Sequence, residues 1–340
     1  METPERSCDL LANCTLTAVQ GLAVGQWTDL EAATGCTVVL CPQGVTAAVD
    51  VRGSTPATRE TDALDPVNLV HVAHAIVITG GSAFGLAVAD GVVAWLESHG
   101  YGMDMHVARV PIVPTAALFD LAVGRADVRP GPQQGYAACE AASTAPVEEG
   151  CVGAGTGASV GKLGGLEWAT KSGLGSAVVR VPNGPTVGAL VAVNAFGDVV
   201  DPTCGRVLAG LRAAEGGYLG SAAQLRKGVP MVFGGLGQNT TLAVVATDAV
   251  LSNVEATKVA RMAHDGLARS IDPVHTRRDG DAVFCLATGA LGETADTSAV
   301  GALAAGVLAE AVVRAVKMAT PLAGLPAASQ IDGASCAGDR

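Results

Sequence analysis

Glycine sets the tightest limit on how this chain can fold. It fills 44 of 340 positions, close to twice the usual share of about 7%. The rest of the apolar inventory is also small: residues are 49% hydrophobic but only 3% aromatic. A core of Ala, Val, Gly and Leu implies layers whose backbones approach closely. The glycines have no period of three, which excludes collagen. Charged residues make up 16%, and high hydrophobicity with low charge excludes disorder. The length suffices for one large core or two smaller ones.

The net charge of −11 is spread along the chain without a basic block, so a nucleic-acid partner is not expected. The stretch TSAVGALAAGVLAEAVVRAVKMA is apolar but carries Glu310, Arg314 and Lys317. A bilayer span needs about 20 nearly uncharged residues, so this reads as a buried helix and no membrane partner is expected. The first residues, METPERSCDLLANC, contain no continuous apolar run, and a signal peptide is not expected. Nine cysteines, an odd number without a C-x-x-C, suit reduced thiols in a cytoplasmic protein.

Along the chain, CTLTAVQ, LAVGQW, GCTVVLC and TAAVDVRG read as strands between residues 14 and 52. AHAIVITGG reads as a buried strand, and SAFGLAVADGVVAWLESHG as a helix ended by Gly100 with Ser82 as its N-cap. A turn and a short helix follow in VRPGPQQGYAACEAAS. SAVVRVP and TVGALVAVNAFGDVV form a hairpin through Asn183-Gly184. Residues 205–238 read as an irregular, exposed connection. TTLAVVATDA and DAVFCLATG are strands. Ser252 and Glu255 form a capping box that opens a helix closed by Pro273, and 296–319 is the last long helix. Strands and helices come in blocks, which favours a layered α+β domain over a doubly wound sheet.

Several candidate chemistries fail on spacing. GAGTGASVGKL places Thr156 where a phosphate loop needs Gly, and Leu163 where it needs Ser or Thr. It reads instead as a glycine-rich turn that brings Lys162 close to other backbone. VITGGSAFG puts Phe84 where a nucleophile elbow needs Gly, which demotes Ser82. His71 and His74 have no carboxylate motif beside them. His275, Asp279 and Asp281 share one loop and could hold a divalent metal, but three ligands without a spacing signature are thin grounds, and no metal or cofactor is expected. The strongest signal is Asn239-Thr240-Thr241 at the start of one apolar strand, with Asp279-Gly280-Asp281 at the start of another. If the strands pair, a hydroxyl nucleophile and two carboxylates converge. A threonine lacks its own base, but cleavage before Thr240 would free an α-amine of reference pKa about 7.7–8.0. That amine can activate the adjacent hydroxyl.

Four stretches, RGSTPATRETDALDP, CVGAGTGASVGKLGG, NTTLAVVATDA and AHDGLARSIDPVHTRRDGDAVFCLATG, together resemble the L-aminopeptidase/D-esterase family. That family includes β-peptidyl aminopeptidases and endo-type 6-aminohexanoate-oligomer (nylon-oligomer) hydrolases. The similarity runs from about residue 15 to 325. It implies an N-terminal-nucleophile-hydrolase-like fold, a four-layer αββα sandwich in one domain, 1–340. That domain would be self-cleaved at Asn239–Thr240 into fragments 1–239 and 240–340. Thr240 falls at the family's nucleophile and Lys162 at its nearby lysine. Asn194 falls at the asparagine that helps bind the oxyanion. Asp279 and Asp281 match the acidic pair of the nylon-oligomer hydrolases, where β-aminopeptidases have Ser and Glu. Phe119 stands where studied members have a Tyr, and a phenyl ring cannot donate a hydrogen bond. The resemblance implies a small peptide-like or ω-amino-acid amide substrate, and a homo-oligomer, a tetramer of αβ units. A metal-dependent hydrolase and an uncut binding protein of the same fold are the competing readings.

Overall fold

In a β-strand, successive side chains point to opposite faces, so a strand with apolar residues on both faces must lie between two layers. The apolar runs of this chain meet that condition almost everywhere. A computed structural model describes residues 13–230 and 239–331. Its main sheet contains nine strands: β1 (Ala23–Asp29), β2 (Thr34–Val51), β3 (Thr58–Arg59), β4 (Val72–Thr79), β5 (Thr115–Ala117), β6 (Leu174–Arg180), β7 (Thr186–Asn194), β8 (Thr240–Thr247) and β9 (Ala282–Ala287). The order is β6-β7-β8-β9-β2-β4-β5-β3, with β1 also paired to β2. The helices are α1 (Val88–Ser98), α2 (Pro132–Glu140), α3 (Ser221–Arg226), α4 (Asn253–Ser270) and α5 (Thr297–Lys317).

The long strand β2 joins two halves of this sheet. Its first part pairs with β1 and its last part with β9, and its ladder with β4 shifts register between Leu40 and Val45. The two halves then face each other. Leu190, Leu242, Val244 and Phe284 from one half share a buried core with Val39, Ile76, Ile78 and Leu118 from the other. The alternate side chains Ala243, Val245, Val283 and Cys285 point outward, against Val259 and Leu267 of α4 and Val307 and Leu308 of α5. On the far side, Val38, Ala75 and Val77 pack against Val88 and Val92 of α1 and Ala138 of α2. Helices, half-sheet, half-sheet, helices: this is the expected αββα sandwich, with its two sheets joined into one ladder through β2.

Close approach depends on glycine, as its abundance suggested. A Cβ on Gly91 of α1 would lie 1.8 Å from the carbonyl oxygen of Pro132 in α2. A Cβ on Gly175 of β6 would lie 2.1 Å from the carbonyl oxygen of Ala311 in α5. Helix α5 is long and apolar enough to cross a membrane by composition alone, yet it packs into the outer core as the sequence reading required.

Four local expectations change. CTLTAVQ forms a 3-10 turn at Leu16–Ala18, not a strand. GCTVVLC and TAAVDVRG are two parts of one strand, β2. Ser82 does not cap its helix; it has φ 55° and its N–H donates to the carbonyl of Leu118. Cys14 is disulfide-bonded, so the thiols are not all reduced. The Asn183-Gly184 hairpin joins β6 to β7, with Asn183 at φ 54°. The Ser252–Glu255 capping box opens α4. Of the irregular stretch 205–238, the last eight residues lie outside the described ones; the rest includes a short strand, Val207–Ala209, and α3.

Because the obstacle beside Gly175 is backbone, Gly175→Ala is expected to destabilise the fold by about 1–3 kcal/mol through overpacking. Denaturant unfolding measures this, and an unchanged midpoint and slope would contradict it.

Candidate active site

Three strand ends meet at one edge of the inner half-sheet. β8 runs parallel to β9, so both begin at the same edge. β7 runs antiparallel to β8 and ends there, with Asn194 directly opposite Thr240. The β8–β9 pairing continues upstream as a parallel bridge between Asn239 and Asp279. Thr240, Asp279, Asp281 and Asn194, singled out in sequence, are thereby brought together and all are buried.

The Asp279-Gly280-Asp281 segment grips the Asn239–Thr240 peptide from one side. Gly280 N–H donates to the Asn239 carbonyl at 2.9 Å. Thr241 N–H donates to Asp281 Oδ1 at 2.7 Å. The Thr240 hydroxyl is turned onto the carbonyl of Asn239 and donates to neither carboxylate. Asp279 instead accepts from Phe196 N–H at 3.1 Å and from Thr276 N–H at 2.9 Å and Oγ1 at 2.5 Å.

Lys162 reaches the site through Asn194. Its Nζ donates to Asn194 Oδ1 at 2.6 Å and to the Asn194 carbonyl at 3.2 Å. Gly161, at φ 74°, makes the turn that presents Lys162, and a Cβ there would lie 2.0 Å from the backbone of Gly210. Asn194 Oδ1 also accepts from Ser159 N–H at 3.1 Å, and its Nδ2 donates to the Phe119 carbonyl at 2.9 Å. Phe119 thus contributes its main chain to the site, a role that does not require the family's phenol.

Burial dominates the electrostatics. It pushes the Lys162 ammonium down to about 7, opposed by the nearby Asp279 charge. Burial first, and then Asp281, push the Asp279 carboxyl up to about 6. A lysine and a carboxylate displaced towards each other across neutral pH mark a functional centre more often than a structural one.

Two supporting groups were missed or misjudged in sequence. His275 was weighed only as a metal ligand. Its Nδ1 lies 2.7 Å from Asp281 Oδ2, and because a carboxylate only accepts, the ring nitrogen donates. Its ring meets His264 edge-on at 4.8 Å, and His264 Nε2 lies 3.0 Å from the Asp50 carbonyl oxygen. Burial lowers His264 to about 4. Among the described residues no group of three His, Cys, Asp or Glu is placed to hold a metal ion, so His275, Asp279 and Asp281 do not form the metal loop that was weighed. The second group is Lys171, fully buried. Its Nζ donates to the carbonyls of Gly155, Ala158 and Ser172, and burial lowers it to about 8. It holds the glycine-rich loop from which Ser159 N–H reaches Asn194. A lone lysine in ATKSG offered no sequence signal for that role.

The fold is the N-terminal-nucleophile-hydrolase-like αββα sandwich. Residues 14–329 match the model of peptidase family S58, and the chain belongs to that family of peptide and amide hydrolases. It is 45% identical over 340 residues to a Mycobacterium tuberculosis protein named as an uncharacterized aminopeptidase, covering 92% of this chain and 96% of that one. It is 30% identical over 320 residues to the 6-aminohexanoate-oligomer endohydrolase of Paenarthrobacter ureafaciens, covering 87% and 84%. Among solved structures it resembles a Burkholderia β-aminopeptidase, with TM-score 0.65, 22% identity, and 95% and 91% of the two chains covered. It also resembles the L-aminopeptidase D-Ala-esterase/amidase of Ochrobactrum anthropi, described as a variant of the Ntn-hydrolase fold. There the TM-score is 0.66 with 20% identity, and 90% and 86% of the two chains are covered.

Removing the His275 ring leaves a buried carboxylate oxygen of Asp281 without its donor. His275→Ala is expected to cost roughly 1–3 kcal/mol of stability relative to the unmodified chain. Denaturant unfolding of the two chains measures it; equal stabilities would contradict the hydrogen bond's importance.

Proposed function

We propose that this chain cuts itself between Asn239 and Thr240 and then hydrolyses small peptide-like amides with Thr240 as an N-terminal nucleophile. The observation that carries the proposal is the buried Thr240 hydroxyl resting on the carbonyl of its own preceding residue, at the meeting of Asp279, Asp281, Lys162 and Asn194.

In the uncut chain, Thr240 Oγ adds to the Asn239 carbonyl carbon through a five-membered ring. The C–N bond breaks, and the proton lost by Oγ ends on the Thr240 nitrogen. Water then hydrolyses the Asn239 ester, leaving a carboxylate on Asn239 and a free amine on Thr240. In turnover that amine takes the hydroxyl's proton as Oγ attacks a substrate amide. The leaving amine departs with a proton, and water releases the acyl group from Thr240. Asn194, which stands opposite Thr240, donates from its amide nitrogen to the substrate oxyanion. Losing one such donor typically costs about 2.7–4 kcal/mol of transition-state stabilisation. Asp281 holds Thr241 and hence the strand start, while Lys162 and Asp279 set the local charge.

The aminopeptidase and oligomer-hydrolase names among its relatives favour short peptides and ω-amino-acid oligomers as the substrate range. The Asp279–Asp281 pair leans towards 6-aminohexanoate oligomers. The oligomer of αβ units and the cytoplasmic setting suggested by sequence belong to the same proposal.

The purified chain is expected to run on a denaturing gel as bands near 24 and 10 kDa (at roughly 99 Da per residue), the smaller beginning at Thr240. Thr240→Ala should abolish both cutting and turnover. A fully active, uncut chain would exclude the mechanism, and activity lost to EDTA would favour a metal hydrolase instead. The pH dependence carries a sign. kcat/KM should climb with pH through roughly 7–8 as the amine loses its proton. Lys162, pushed down to about 7, keeps its charge on the acid side of that limb, where a cation favours the neutral amine, so Lys162→Met should move the foot of the limb to higher pH. A limb that stays in place or moves down would contradict the role given to Lys162.

A further inference from the structure

We propose that the main-chain N–H of Gly280 is the oxyanion donor for self-cleavage, a duty separate from that of Asn194 in substrate turnover. This rests on the self-cleavage reading above. When Thr240 Oγ adds to the Asn239 carbonyl, negative charge collects on the Asn239 oxygen. The Gly280 N–H already points at that oxygen from 2.9 Å, within the roughly 2.7–3.1 Å at which an oxyanion donor acts.

The surroundings assign the duty to Gly280 in the uncut chain. Asn194 Nδ2 is directed to the Phe119 carbonyl, and its Oδ1 accepts from Lys162 and Ser159. Among the described residues the only other hydrogen bond to the Asn239 oxygen comes from the attacking hydroxyl itself, and that proton leaves during the reaction. The Gly280 N–H is fixed by the parallel bridge of Asn239 to Asp279, so no group must reorient as charge develops. On the other side of the scissile bond, Thr241 N–H is held by Asp281 at 2.7 Å. The peptide is therefore held at both ends by two consecutive residues, Gly280 and Asp281.

The same geometry explains glycine at this position. A Cβ on residue 280 would lie 2.8 Å from Thr240 Oγ1 and 2.6 Å from the Thr55 carbonyl oxygen. Any side chain would crowd the nucleophile over its target. The donor is a main-chain group, so no motif of side chains announces it.

The test replaces the N–H by an ester oxygen. Cell-free translation of the full chain with glycolate in place of Gly280 removes this single donor and adds no atom beyond the backbone. Self-cleavage is expected to slow about 10²–10³-fold. Lactate in place of Ala287, at the far end of the same strand, reports general weakening of the sheet and should leave cleavage within about tenfold of the unmodified rate. A glycolate chain that cuts as fast as the unmodified chain, or no faster a lactate chain than the glycolate one, overturns the assignment. A crystal structure of the Thr240→Ala chain gives a readout free of any folding defect in the esters. Gly280 N–H on the Asn239 oxygen, with Asn194 still on Phe119, is expected; Asn194 Nδ2 on the Asn239 oxygen would overturn it. An unmodified chain that never cuts would instead remove the self-cleavage reading itself.

Discussion

The parallel pairing of β8 with β9 is the constraint on which the site depends. It places the start of one strand beside the start of the other, so that Asn239 faces Asp279 and the Asp-Gly-Asp segment closes on the Asn239–Thr240 peptide. The antiparallel return of β7 adds Asn194 at the same edge. A slip of one residue would turn Thr240 to the opposite face and send every apolar neighbour with it. Register is secured against that slip because β8 and β9 bury apolar side chains on both faces, in two different cores.

The site collects charge where the fold can least solvate it. Asp279 is buried with Lys162 half-buried beside it, and Lys171 and Asp120 are buried nearby. Asp120 accepts from Thr34 Oγ1 and from Gly81 N–H, both at 2.7 Å, and burial raises it nonetheless. Burying charges costs several kcal/mol per ion unless hydrogen bonds and partners offset it. Here main-chain groups supply most of that compensation: three carbonyls for Lys171, one for Lys162, and amide N–H groups for each aspartate. Glycine lets those backbones come near, which connects the composition to the chemistry. At Gly80, for example, a Cβ would lie 2.0 Å from Asp120 Oδ2.

Much of this was legible in the sequence. The apolar runs gave β4, β8, β9, α4 and α5 because their patterns are long and well capped, and Asn183-Gly184 gave the β6–β7 turn. Thr240, Asn194, Lys162, Asp279 and Asp281 were each named, and the fold brings them together. The bend in β2 was not legible, because one strand serving both half-sheets looks locally like two. Nor were the direct partners. His275 beside Asp281 is set by a loop residue at φ 53°, and Lys171 answers to carbonyls that carry no side-chain signature. The Thr240 hydroxyl rests on the Asn239 carbonyl rather than on a carboxylate, and Asp279 satisfies the loop at Thr276 and the main chain of Phe196.

The central claim is that Thr240, once freed, carries the acyl group of the substrate. Intact-mass and peptide-mapping analysis of the enzyme quenched during turnover of a slowly hydrolysed amide or ester tests it most directly. The account predicts one acyl adduct per chain, on the fragment that begins at Thr240 and on that residue's oxygen. An adduct on Ser82 or another side chain, or turnover without any adduct on the Thr240 fragment, would contradict it.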